Sequence, residues 1–241
     1  MTTEIKNTKP EDPQPYSDSF NFRKFLRKNG TQLGILGVFV AMWIFFIIAA
    51  PETFLSSRIY YAFMSTIPFF AMMAMPLTII IIAGEMDLSF TSTMAMGMVS
   101  FLLTYEATQN VWISFIAALL AGLFIGWLNG IIVVKFGIPS LVATIGTQFF
   151  WRGAVLVLSQ GKSGTLVYTK ETALHPLLTG KIGGVFPAQM LWLLVIAGVS
   201  WVLLNRHRFG AHMYLIGDNT QSAELMGINT GRTRILGFML V

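Results

Sequence analysis

The 241-residue chain contains no cysteine. Disulfides, thiolate metal sites and a cysteine nucleophile are therefore excluded. Histidine is nearly as scarce: His175, His207 and His212 are too few and too scattered for a metal cluster. The phosphate-cradling G-x-x-x-x-G-K pattern is missing, since Gly161-Lys162-Ser163 lacks the upstream glycine. No Ser/His/Asp arrangement is apparent either. The chain is expected to be no enzyme and to carry no metal and no cofactor. Charge is the most telling shortage. Only 11% of residues are charged, against roughly 25% in a soluble domain. With 54% hydrophobic residues and a mean hydropathy of +0.67, both the interior and much of the exterior must be apolar. That is the signature of a membrane protein, and the lipid bilayer is its first expected partner. The net charge of +5 then reflects topology and calls for no nucleic-acid partner.

What the chain has in abundance is long apolar runs. A spanning helix needs about 20 residues. Leu33–Ala50, Tyr60–Ala83, Leu88–Thr104, Val111–Val134, Pro139–Leu158 and Phe186–Leu204 meet or approach that length. Ile235–Val241 starts a further span that cannot finish. The expected fold is an all-α polytopic membrane helix bundle with six complete transmembrane helices and the start of a seventh. The chain reads as a fragment cut inside a membrane helix. Residues 1–30 form a polar, proline-containing and basic tail, and residues 31–241 form the membrane domain, with a cytoplasmic loop at 205–234. The apolar run begins too late and is too long for a cleaved signal peptide.

Several details sit on these runs. Pro68 and Pro76 interrupt the second span, where neighbours or water must compensate for the lost hydrogen bonds. Gly122, Gly126 and Gly130 recur every four residues in the fourth, leaving one face of bare backbone for close helix–helix contact. Asn129 lies beside that face and reads as interhelical glue. Arg152 lies inside the fifth span and should face protein or water. It is either an interior strut to backbone carbonyls or part of a pathway lining, and Gln148 is one turn earlier on a similar face. Asp87 is either a cap for the third helix or a gate contact, whereas Glu85 is expected to be solvated. Residues 160–187 form a long polar loop.

Basic residues set the orientation. With the N-terminus inside, the inner segments hold the basic residues of the tail and Lys135, Arg206, Arg208, Arg232 and Arg234. The outer segments hold Arg58, Lys162, Lys170 and Lys181. This bias places residues 205–234 in the cytoplasm and the 160–187 loop outside. Within 205–234, Asp218, Asn219 and Thr220 offer helix-start residues, Gln221–Met226 are helix formers, and Gly227 is a natural stop. The segment is either a solvated loop or a docking element for a soluble partner.

The same residues carry a resemblance. Ala83-Gly84-Glu85-Met86-Asp87-Leu88-Ser89 resembles the GGIDLS turn of sugar-type ABC transporter permeases, the ribose, xylose, arabinose and autoinducer-2 group. Ala143-Thr144-Ile145 followed by Trp151-Arg152-Gly153 resembles that family's IATL…RG helix. Phe209 to Asn219, then Ala223 to Asn229, resembles its cytoplasmic loop LGRYIYAIGGN…AARLSGIN. Glu85 and Glu224 depart from the pattern. The resemblance implies the permease subunit of an ATP-driven importer, translocating a monosaccharide across the bacterial inner membrane. It implies a second permease subunit, a separate cytoplasmic ABC ATPase that hydrolyses ATP, and a periplasmic sugar-binding protein. Gly217, Asn219, Ala223, Glu224, Gly227, Ile228 and Asn229 would form the ATPase-coupling loop. Asp87, Gln148 and Arg152 would belong to a pathway or gate. The alternative is an ion-coupled secondary transporter of a small polar solute, which would need an acidic residue deep in a span. A membrane-embedded enzyme has no catalytic set.

Overall fold

The computed structural model describes residues 29–162, 164, 167–184 and 186–241. The expected tail lies almost wholly outside the described residues. The chain divides into two compact units, Met1–Ser57 and Arg58–Val241. In the first, α1 (Gly30–Ala49) is an unbroken apolar helix. Pro51 then opens α2 (Pro51–Phe54), at a position whose N–H would have no intrahelical acceptor anyway. Phe54 folds back on α1, stacking on Phe46 at 5.3 Å and meeting Trp43 edge-on at 5.8 Å.

The second unit opens with α3 (Ser57–Ile82), which stays helical through Pro68 and Pro76. A non-helical connector follows, residues 83–89. Next come α4 (Phe90–Thr108), α5 (Val111–Phe136) and α6 (Ser140–Leu158). The 160–187 segment is more structured than a loop. It holds a 3-10 turn (Val167–Glu171), the short α7 (Leu174–Thr179) and a two-stranded antiparallel hairpin, β1 (Lys181–Ile182) and β2 (Phe186–Pro187). The chain continues through α8 (Ala188–Asn205), α9 (Arg208–Asp218), α10 (Thr220–Leu225) and α11 (Thr230–Leu240).

The protein is an all-α polytopic bundle, but the expected count of spans changes. Among the described residues, five helices are long and apolar enough to cross a membrane: α1, α3, α5, α6 and α8. The expected third span forms as α4, yet it falls outside that group. Thr91, Ser92, Thr93, Ser100, Thr104 and Glu106 dilute its apolar content.

Helix α5 is the central post, with α4 and α11 packed along it and α6 against both α4 and α5. Asn110 caps its start, its Oδ1 accepting from the Trp112 and Ile113 amides at 3.0 and 3.2 Å. The expected close contact on the glycine face is made by α11. A Cβ on Gly126 would run into the Phe238 carbonyl, and one on Gly130 would lie 2.8 Å from the Ile235 Cα. Gly122 meets only Thr93 of α4, at an ordinary 3.9 Å. Two apolar clusters meet at the end of α3. Ile79 and Ala83 join Met213, Ile216 and Ala223, while Ile80 joins Val133, Ala143 and Phe238.

Candidate functional site

Residues 205–234 fold as two consecutive helices, α9 and α10, followed by the first turn of α11, and not as a loop around one helix. Helix α9 buries Gly210, Met213 and Ile216, a single stripe at three-residue spacing. His207 caps it, Nδ1 accepting from the Phe209 amide at 3.1 Å. Gly210 faces the backbone at the end of α8, while Met213 and Ile216 pack on the end of α3, where a Cβ on Gly217 would collide with the Ile82 carbonyl. Helix α10 follows at once. The Asn219 Oδ1 accepts from the Ser222 amide at 2.9 Å, and Gly227, at φ +81°, ends the helix as expected. The Ile228 amide donates to the Ala223 carbonyl at 3.1 Å, closing the turn. Only Ala223 of this helix is buried. Leu225 and Met226 are 91% and 67% exposed. The Thr230 hydroxyl donates to Glu224 Oε1 at 2.7 Å, and Asn229 Oδ1 accepts from the Arg232 amide at 2.9 Å, capping α11. Asn219, Ala223, Glu224, Gly227, Ile228 and Asn229 thus each hold this platform together or fix its attachment to α11, and Gly217 seats it on the end of α3.

The connector lies beside the start of α11. Irregular backbone within a bundle needs partners, and α6 supplies them. The Met86 amide donates to Ser140 Oγ and the Leu88 amide to Thr144 Oγ1, both at 3.1 Å. Glu85 corrects the sequence expectation. It is buried, and its Oε1 pairs with the Arg234 guanidinium. A cation from α11 stands where water was expected. The Arg234 Nε is itself buried with no hydrogen-bond partner.

Asp87 is buried too, and it does not cap α4. Its Oδ1 accepts from the Ser89 amide at 2.7 Å and the Ser89 hydroxyl at 2.6 Å, closing a turn ahead of the helix. Asn129 of α5 donates through Nδ2 to Ser89 Oγ at 2.7 Å, so its expected role as glue is met by the connector. Asp87 belongs to the connector and not to a spanning helix. Burial pushes its carboxyl above the ordinary value, against the Ser89 hydroxyl, the Ser89 amide and Asn129, which favour the charged form.

Gln148 and Arg152 stand apart from this junction. Gln148 Nε2 lies 3.4 Å from Thr91 Oγ1 on α4. Arg152 is exposed on α6 and has no partner among the described residues, which overturns the interior-strut reading. Two cavities flank α4 and α5. One of about 470 Å³ reaches α3, α8 and α11. The other, about 660 Å³, lies beneath the 3-10 turn and α7. Both are mainly apolar, and neither is lined by Asp87, Gln148 or Arg152.

Residues 59–241, most of the chain and all of this site, match the family described as Branched-chain amino acid transport system / permease component. The chain belongs to this permease family. Among curated proteins it is similar to the Autoinducer 2 import system permease protein LsrC of Yersinia pestis (strain Pestoides F). That relative is 28% identical over 217 residues, covering 90% of this chain and 60% of the relative. The same protein of Yersinia pseudotuberculosis serotype O:3 (strain YPIII) matches with the same identity and coverage. The chain therefore spans less than two thirds of the length of these relatives. No solved structure matches it. The permease resemblance carried by the connector and platform residues is borne out at the level of family.

Sequence reasoning missed two features of this permease. Helix α9 was legible in the spacing of Gly210, Met213 and Ile216. The partnership of Glu85 with Arg234 was not, because 149 residues separate them.

Proposed function

We propose that this chain is the membrane subunit of an ATP-driven importer and that α10 is its docking helix for a cytoplasmic ABC ATPase. The observation that carries this reading is the contrast on α10. One small residue, Ala223, anchors the helix, while Leu225 and Met226 point two large apolar side chains away from the protein. A six-residue helix so well capped and so little buried fits a surface completed by a partner. The N-terminus and residues 205–234 lie in the cytoplasm, as the basic bias favours. The membrane is the bacterial inner membrane, the working unit holds two permease subunits, and a periplasmic binding protein delivers the solute. ATP is hydrolysed on the separate ATPase.

The solute we propose is a small, polar, sugar-like molecule. The relatives' names support this class through autoinducer 2, as does the wording of the connector and platform. Asp87, Gln148 and Arg152 are proposed to act in gating or in the pathway of the assembled transporter. The ion-coupled alternative needs an acidic residue deep in a span, whereas Asp87 lies in the connector with its Oδ1 taken by two Ser89 donors.

The test is co-elution of a purified candidate ABC ATPase from the same organism with the permease in nanodiscs. Parent protein is expected to retain the ATPase, and the double variant Leu225→Ser with Met226→Ser to lose at least tenfold in retention. Equal retention by both proteins would remove α10 from the interface.

A further inference from the structure

The platform reaches the bundle by two routes. Through the Ile79, Ala83, Met213 and Ile216 cluster it grips the end of α3, which runs directly into the connector. Through the Glu224–Thr230 hydrogen bond and the Asn229 cap it grips the start of α11. Glu85 and Arg234 join the far ends of these two routes. The result is a closed ring: end of α3, platform, start of α11, ion pair, connector. Beyond the ring, α11 bears on α5 through Gly126 and Gly130, and the connector bears on α6 through Ser140 and Thr144.

We propose that the Glu85–Arg234 pair is a latch that makes the connector and α11 move as one body when the platform is displaced. Glu85 and Arg234 are thereby positioning residues for transport. This rests on the docking reading above for the source of displacement, but the latch itself is a property of this chain alone. The pair is partly buried, Glu85 more deeply than Arg234, and such a pair is weak evidence of net stability, because desolvation offsets much of its attraction. Its use lies in specificity: removing one member leaves a buried charge with no counter-charge, so few other arrangements of connector and α11 are tolerated. Among the described residues of the ring, Glu85–Arg234 is the one carboxylate–cation pair. Cutting it leaves the connector and α11 joined by apolar packing, through Ile80 at the end of α3 against Phe238.

The absence of cysteine makes the chain suited to site-directed spin labelling. Labels go on Met86→Cys in the connector and Leu236→Cys in α11, both about half exposed. The full-length permease in nanodiscs is compared with Glu85→Gln, Arg234→Gln and the exchange Glu85→Arg with Arg234→Glu. Arg234→Lys, which keeps the charge, is added in case a neutral variant does not accumulate. The parent is expected to give one narrow distance distribution. Each neutral variant should at least double its width, Arg234→Lys should fall between, and the exchanged pair should restore the narrow form. A second arm adds the ABC ATPase with ATP and vanadate. The label distance should stay constant in the parent and in the exchanged pair and shift in the neutral variants.

A parent distribution that is already broad, neutral variants that match the parent, or an exchanged pair that fails to narrow would overturn the latch. If the first arm behaves as expected and ATP–vanadate shifts no variant, the docking reading fails while the latch stands. A distance that shifts in the parent under ATP–vanadate means the two segments do not move together, and the latch fails.

Discussion

Residues 160–187 and 205–234 look alike as sequence, since both are polar, glycine-containing links between apolar runs. They fold differently. The 205–234 segment places Met213, Ile216 and Ala223 against the end of α3 and Gly210 against the end of α8, with Met213 and Ala223 almost fully shielded from solvent. The 160–187 segment is held mainly by local bonds. Its α7 buries Leu174 alone, its hairpin pairs two residues a side, and Trp192 Nε1 donates to the Leu177 carbonyl at 2.9 Å from α8. It roofs a cavity, whereas the other segment fills one face of the bundle. The difference lies in periodicity. Apolar or small residues three apart make a helical stripe that can be buried, whereas alternating turn residues leave the chain with little to bury.

Four changes would break or sharpen this contrast. The largest effect is expected at the heart of the platform. Met213→Ala should destabilise the permease by about 2–5 kcal/mol, the range for emptying a fully buried site. Thermal unfolding in detergent would show it, and an unchanged midpoint would mean that the platform is not part of the cooperative core. Next is Gly217→Ala. Its new Cβ must push against the Ile82 carbonyl, and overpacking of this kind costs about 1–3 kcal/mol. Hydrogen exchange should rise in α9 and at the end of α3 but not in α7.

Smaller still is Trp192→Phe on the other segment, which removes one hydrogen bond, worth about 0.5–1.5 kcal/mol. Its exchange increase should be confined to α7 and the start of α8. A rise spreading to the platform would erase the distinction between the two regions. The smallest stability change belongs to Leu225→Ser combined with Met226→Ser. Both side chains face outward, so stability should stay within about 0.5 kcal/mol per site, even though ATPase retention falls.

Legibility in the sequence followed the range of the interaction. The start and stop of α10 were readable because Asn219 caps a neighbour three residues on and Gly227 adopts a left-handed backbone that favours glycine. The glycine face of α5 was readable as a contact surface, though not as the seat of α11. Asp87 was read correctly as a polar residue at a helix start, but its bond closes a turn and not a cap. Arg152 misled because a lone arginine in an apolar run suggests an interior partner, and the fold turns it outward on α6. Glu85 misled in the opposite direction, since an acid beside a turn suggests solvent until α11 brings a guanidinium to it.

The sequence by itself determined the class of the protein, the rough course of its apolar helices, the caps of α10 and the family wording of the connector and platform. These depend on composition or on bonds between near neighbours, which a linear reading contains. Tertiary structure alone decided which acid meets which base, which helix fills the glycine face and which polar segment becomes a platform. Those outcomes depend on contacts between residues up to 149 positions apart, where the free energy of burying one surface is set by whatever the rest of the chain brings to it.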